Sequence, residues 1–132
     1  MGGQADGYDP RRSKVSDDTM EQWRTAPTMT GDLKEVPGIG PKSAEKLEKE
    51  EGICNTFQLL GHYMKMAEVI EDDDGESKVD TYLLNQQFWS FLKSAGITAY
   101  RSAVVKAVSE KVSAAYPAFH DANIYDDDDE DD

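Results

Sequence analysis

The chain has 132 residues, enough for one small domain with a real core and too few for two ordinary ones. Its single cysteine, Cys54, excludes an intramolecular disulfide, and with two histidines far apart in sequence no zinc site is expected, nor any other metal or cofactor. A formal net charge of −13 weighs against nucleic acid, because a duplex repels a polyanion, so the distribution of that charge decides the matter.

The opening MGGQADGYDPRRSK holds no apolar run for a signal peptide, and the myristoylation pattern after Gly2 would need Ser or Thr where Asp6 stands. Residues 1–15 are Gly-, Asp- and Arg-rich without periodicity and read as a disordered arm. Ser16 then caps a short first helix over DDTMEQWRT, with acids in its first turn and Met20 and Trp23 on one face, ended by Pro27. A turn-rich connector, TAPTMTGD, leads through Leu33 and Val36 to a second helix from Pro41 to about Glu51, closed by Gly52. CNTFQLLGHYMKMAEVI reads as a third helix capped by Asn55 or Thr56, with Phe57, Leu60 and Met64 as its apolar stripe.

Residues 68–80, EVIEDDDGESKVD, form an acidic loop with seven acids and one base. A fourth helix follows from Asp80 to Ser94, with Leu84, Phe88, Phe91 and Leu92 on one side and Gly96 at its end. A fifth, from about Thr98 as cap to Tyr116, repeats valine at 104, 108 and 112 and stops before Pro117. Residues 121–132 are an acidic low-complexity tail with eight acids and no base. No convincing strand appears, so the class is all-α, a compact five-helix domain over residues 16–120. No run approaches the roughly 18 apolar residues of a transmembrane helix, so a soluble, intracellular protein is expected. Setting aside the acidic loop and tail leaves twelve acids against thirteen bases. The body itself is therefore near neutrality and free to carry a basic surface.

The stretch EVPGIGPKSAEKLEKE asks for such a surface. Gly38 and Gly40 flank Ile39 in a tight turn that delivers the chain to a helix N-terminus, whose unpaired N–H groups and dipole suit a phosphate. Lys42, Lys46 and Lys49 fall on one stripe of the helix that follows, while Ala44 and Leu47 point to the core with Ile39. Such an arrangement holds a phosphate backbone without reading bases.

VPGIGPKSAEKL resembles the hairpin of the helix-hairpin-helix DNA-binding motif. Together with EQWRTAPTMTGD, EKLEKEEG, FQLLGHYM, FWSFLK and AGITAYRSA, in that order, it makes most of residues 16–120 similar to the barrier-to-autointegration factor family. The resemblance implies a SAM-like helical fold, non-sequence-specific binding of double-stranded DNA, bridging by a homodimer, and a nuclear, chromatin-associated location, with the cytoplasm as a second compartment. It also implies backbone contacts to phosphate at Gly38, Gly40, Lys42 and Ser43, and a second hairpin-like turn around Ala99, Tyr100 and Arg101. With Ile39 and Lys46 these make up the candidate DNA site.

The chain departs from the family at several of these places. Asp17–Thr19 stands where family members have serine and lysine, and Tyr100 and Ala103 align with a lysine and an arginine. Binding is therefore expected to be weak or salt-sensitive. The acidic stretch is an insertion between the third and fourth helices; with Gly75 at the glycine position of a calcium loop, Ile70 and Thr81 would be ligands, which rejects calcium. The family's groove for LEM-domain proteins is countered by Lys65 at an apolar position.

Enzyme readings are weak. No nucleophile with its base is visible, GIGPKS lacks the Walker spacing, and His62 offers Cys54 no evident role. Tyr82, Phe88, Trp89 and Phe91 at helical spacing fit core and dimer contact better than base stacking. The alternative to DNA bridging is a protein-interaction adaptor of the same fold, its acidic segments engaging basic partners such as histones. Ser13, Ser16 and Thr19 are candidate phosphorylation sites beside the proposed DNA face.

Overall fold

The computed structural model describes residues 7–71 and 73–120. Five α-helices and one small β-hairpin make up the described regular structure, with short 3₁₀ turns between them.

Helix α1 (Asp17–Thr25) starts as its sequence dictates: the Ser16 hydroxyl accepts from the Thr19 N–H at 3.1 Å, and Asp17 and Asp18 occupy the first turn. Its apolar face, Met20 and Trp23, packs on helix α5 (Arg101–Ala115), where the Trp23 indole donates to the Ala107 carbonyl at 2.8 Å. Lys111 of α5 answers at the other end. Its ammonium donates to the carbonyls of Trp23 (2.7 Å) and Ala26 (3.1 Å) where α1 ends, over the Trp23 ring. Burial holds this ammonium below the usual lysine value, with the Glu35 carboxylate pulling the other way.

The connector is tied by Glu35, which ends a 3₁₀ turn (Leu33–Glu35). Its carboxylate accepts from the N–H groups of Thr30 (2.9 Å) and Gly31 (3.0 Å) and from the hydroxyls of Thr30 (3.1 Å) and Thr56 (2.7 Å). Burial alone would raise its pKa, but these bonds outweigh it and hold the group below the ordinary glutamate value. Helix α2 (Pro41–Glu51) begins on a proline and ends on Gly52 in the left-handed conformation, as expected.

Helix α3 (Thr56–Lys65) is capped by Asn55, whose side chain accepts from the Gln58 N–H at 2.8 Å. Its buried stripe is Thr56, Leu59, Leu60 and Tyr63, not Phe57, Leu60 and Met64; Phe57 is 56% exposed. Thr56 wins the inward position because its hydroxyl is needed by Glu35. Tyr63 wins because its hydroxyl donates to the buried Asn85 at 2.7 Å. Helix α4 (Thr81–Ser94), capped by Asp80, buries Leu84, Phe88, Trp89 and Leu92. Phe91 is only partly buried and stacks on His62 at 4.2 Å. Burial first, and then the charge of Lys65, hold that imidazole below the ordinary value of 6.5. Helix α5 is the central element, burying Val104, Val105, Val108 and Val112 among others.

Three further expectations need correction. The chain is not purely all-α: β1 (Val69–Glu71) pairs antiparallel with β2 (Ser77–Val79), with Val69 opposite Val79. The expected tail of the third helix is therefore strand. Stacked acids disfavour helix there, whereas β-branched Val69, Ile70 and Val79 around a turn with Gly75 at φ +82° favour a hairpin. Residues 7–15, assigned to a disordered arm, pack as a strap. Tyr8 is buried, the Gln86 amide accepts from its N–H (2.9 Å) and donates to its carbonyl (3.1 Å), and a 3₁₀ turn (Pro10–Arg12) follows. Finally, α5 starts at Arg101 rather than near Thr98, with Tyr100 as its cap in the left-handed region, φ 63°. Residues 1–6 and the acidic tail, 121–132, lie outside the described residues.

Candidate nucleic-acid interface

Gly38 and Gly40 do different work. Gly38 sits at φ +98°, and a Cβ there would lie 3.0 Å from the Val104 side chain, 3.1 Å from Ala103 Cβ and 3.2 Å from the Tyr100 carbonyl oxygen. The turn is thus pressed onto the first turn of α5, which also explains why Ala103 is small and fully buried. Gly40 has φ −101° and ψ −171°, open to any residue, and a Cβ there would meet nothing within 4 Å. Neither packing nor backbone angles call for a glycine at 40, so the open space in front of it is what the missing side chain preserves.

That space is a groove of about 580 Å³. The hairpin supplies Gly38, Ile39, Gly40, Lys42 and Ser43 to its lining, and the turn before α5 supplies Ala99 and Tyr100. Ile39 is core by its side chain, so it offers the groove little beyond backbone. The strap and the start of α1 complete the wall with Lys14, Ser16 and Thr19, and among the described residues no acid lines it.

The helix termini around this groove are unlike the others. Helices α1, α3 and α4 are each capped by their own side chains, Ser16, Asn55 and Asp80. Helices α2 and α5, capped by Gly40 and Tyr100, have no side-chain cap. Both uncapped N-termini, each with its partial positive charge, lie beside one basic groove. The only described non-glycine residues with positive φ, Lys14 and Tyr100, line it as well. Such backbone costs about 1–2 kcal/mol per residue and persists only where the surrounding structure over-determines it.

Comparison of the chain with family models, curated proteins and solved structures gives no match.

Seven of the nine residues expected at the site therefore come together, and two do not. Lys46 lies in a neighbouring cleft with Lys49 and Glu45, its side chain running against Gly96 with Nζ 3.4 Å from where a Cβ would stand. Lys49 is 3.8 Å from Glu45, so the lysine stripe is partly neutralised on its own helix. Arg101 turns inward: it donates to the Ile97 carbonyl at 2.7 Å and lies 4.5 Å over the Trp89 ring, lining an adjacent groove. Phe88 and Trp89 are spent within the subunit, which leaves Tyr82 as the exposed aromatic of α4. Lys14 is the residue the sequence reading missed. Its signal was the basic run RRSK directly before the Ser16 cap, hidden by assigning that segment to disorder. Of the proposed phosphorylation sites Ser13 is buried, whereas Ser16 and Thr19 line the groove.

Proposed function

We propose that this protein binds double-stranded DNA through its phosphate backbone, without reading bases, and that a homodimer carrying two such faces bridges duplexes in chromatin. The observation that carries the reading is the convergence of two uncapped helix N-termini, Lys14 and Lys42 on one groove that no acid lines among the described residues. A groove of that kind takes an anion of fixed local shape and ignores sequence. The role is binding and architectural rather than catalytic, and a nuclear location accords with it. Lys65 at the end of α3 and the charged hairpin beyond it weigh against a LEM-domain partner.

The test is a salt titration of binding to a short random-sequence duplex, wild type beside Lys14→Glu/Lys42→Glu, with the mass in solution read on the same samples. Expected are affinity that falls as salt rises, loss of binding in the double variant, and a dimeric mass. Absence of binding at low salt sinks the DNA reading, and a monomeric mass sinks bridging.

One observation favours a second reading, the adaptor that engages basic partners such as histones. The β-hairpin leaves Val69 (69%) and Ile70 (40%) exposed among acids, a surface suited to a basic segment with apolar residues. A histone-tail peptide that binds wild type and not a hairpin-neutralised variant would support it.

A further inference from the structure

The two edges of the β-hairpin differ. Strand β2 lies against the 3₁₀ turn Pro117–Phe119, and the Thr81 hydroxyl just beyond β2 donates to the Phe119 carbonyl at 3.0 Å. Strand β1 pairs with β2 on one side, and all three of its residues are exposed. The register fixes which of its backbone groups face outward. The Asp80 N–H donates to the Glu68 carbonyl at 3.0 Å, so Glu68 and Asp80 face each other as a hydrogen-bonded pair. Bonded and non-bonded pairs alternate along an antiparallel ladder, which makes Ile70–Lys78 the next bonded pair and leaves Val69–Val79 and Glu71–Ser77 unbonded. The N–H and C=O of Val69 and of Glu71 therefore point away from β2, and none of the four takes a hydrogen bond among the described residues. Two residues of open donor and acceptor at strand spacing are a template for a further strand.

The side chains select what can pair there. Val69 and Ile70 are exposed on opposite faces of the strand, so a neighbouring strand finds apolar contact on either side. Glu68, Glu71 and Asp73 are exposed around the edge, and Lys78 is the one cation among the described residues of the hairpin. Two copies of this chain pairing edge to edge would set these carboxylates against their own kind, and a nucleic acid would be repelled in the same way. An extended segment that carries lysine or arginine meets no such penalty. The acids thus close the edge to the chain itself and leave it open to one class of partner.

We propose that β1 takes an extended basic segment of another protein as a third strand of the hairpin. Its main chain bonds to the outward groups of Val69 and Glu71, and its cations lie beside Glu68, Glu71 and Asp73. The proposal rests on the second reading above, the adaptor, and adds to it a mode of binding that attraction between charges alone does not require.

The probe is a short synthetic peptide of alternating lysine and valine, titrated into the full chain while amide hydrogen exchange is followed at Val69, Ile70 and Glu71. The free protein should exchange more slowly at Ile70 than at its two neighbours, and saturating peptide should slow Val69 and Glu71 as well. Val69→Pro removes an N–H that the hairpin itself does not use. It should keep a native amide spectrum and weaken the peptide about three- to tenfold, the loss of one hydrogen bond. Glu71→Lys, which keeps every backbone group, should also weaken the peptide, and it carries the test whether or not position 69 tolerates proline. Saturable binding that leaves exchange at Val69 and Glu71 unchanged overturns strand addition while the adaptor reading stands. No binding of the peptide even at low salt sinks both. A dimeric wild type that becomes monomeric in Val69→Pro overturns the proposal by assigning the edge to a second copy.

Discussion

Replacing each hairpin glycine by alanine separates what the fold needs from what a ligand needs. At position 38 the alanine must adopt φ +98°, which costs an L-residue about 1–2 kcal/mol. Its methyl must also fit within 3.0–3.2 Å of Val104, Ala103 and the Tyr100 carbonyl, an overpacking that costs about 1–3 kcal/mol. Gly38→Ala should therefore lose about 2–5 kcal/mol, the sum of those two costs and a large part of the stability of a small domain. At position 40 the backbone is extended and the space is empty. There, the loss of a glycine cap, about 0.5–1 kcal/mol, is offset by a similar gain from a less flexible unfolded chain. Gly40→Ala should thus melt within about 0.5 kcal/mol of wild type while its methyl occupies the mouth of the groove. Denaturant titration gives the first quantity and fluorescence anisotropy with a random-sequence duplex the second. Gly40→Ala binding DNA as tightly as wild type would refute a phosphate approaching the backbone at 40.

Three further outcomes are expected. Glu35→Gln should cost about 1–2 kcal/mol at neutral pH, since a charged acceptor of four donors, partly exposed, becomes a neutral one. Because the folded pKa of Glu35 lies below its ordinary 4.5, its stabilisation is complete above that value and is lost as pH falls through the folded value. Urea melts from pH 6 downward should therefore converge for the two proteins. Tyr63→Phe strands the buried Asn85 carbonyl and should cost about 1–2 kcal/mol with no change in DNA affinity, checked by melts and anisotropy together. Lys111→Met keeps the stem over Trp23 but removes the two bonds at the end of α1, and should cost about 1–2 kcal/mol, seen first as faster amide exchange in α1.

What was legible in the sequence was local. Ser16 and Asn55 announce their helices because a cap is decided within three residues, and Pro41 and Gly52 bracket α2 for the same reason. The hairpin glycines drew attention by spacing alone. What was hidden depended on partners distant in the chain. The strap is ordered by Gln86, 78 residues from Tyr8, and nothing near Tyr8 tells of it. The phase of α3 was ambiguous because both of its faces carry apolar residues; Glu35 and Asn85 break the tie. The acids of residues 68–80 masked two short β-branched runs. Tyr100 could not be read as a cap, since its left-handed backbone follows from the packing of Gly38 on α5.

On the proposed DNA reading, a protein of net charge −13 must grip the duplex at short range, and its kinetics then carry a distinctive sign. Charges separated by more than a Debye length, about 8 Å at physiological ionic strength, are largely screened, whereas lysines and amides touching a phosphate act inside it. Among the described residues the groove lining holds Lys14 and Lys42 and no acid, and the nearest acids in sequence, Asp17 and Asp18, sit on the exposed first turn of α1 where that helix's own amides partly offset them. Encounter with a duplex is therefore governed by the repulsive net charge and residence by the local contacts. Added salt should relieve the repulsion and raise the association rate, the opposite of a basic DNA binder, while counterion release raises the dissociation rate and still lowers affinity overall. Removing residues 121–132 takes away eight acids, moves the net charge from −13 to −5, and should raise the association rate at low salt while leaving dissociation unchanged. Stopped-flow anisotropy across a salt series reads both rates. An association rate that falls with salt as steeply as for a cationic protein would mean that a long-range positive field, and not the groove, captures the DNA.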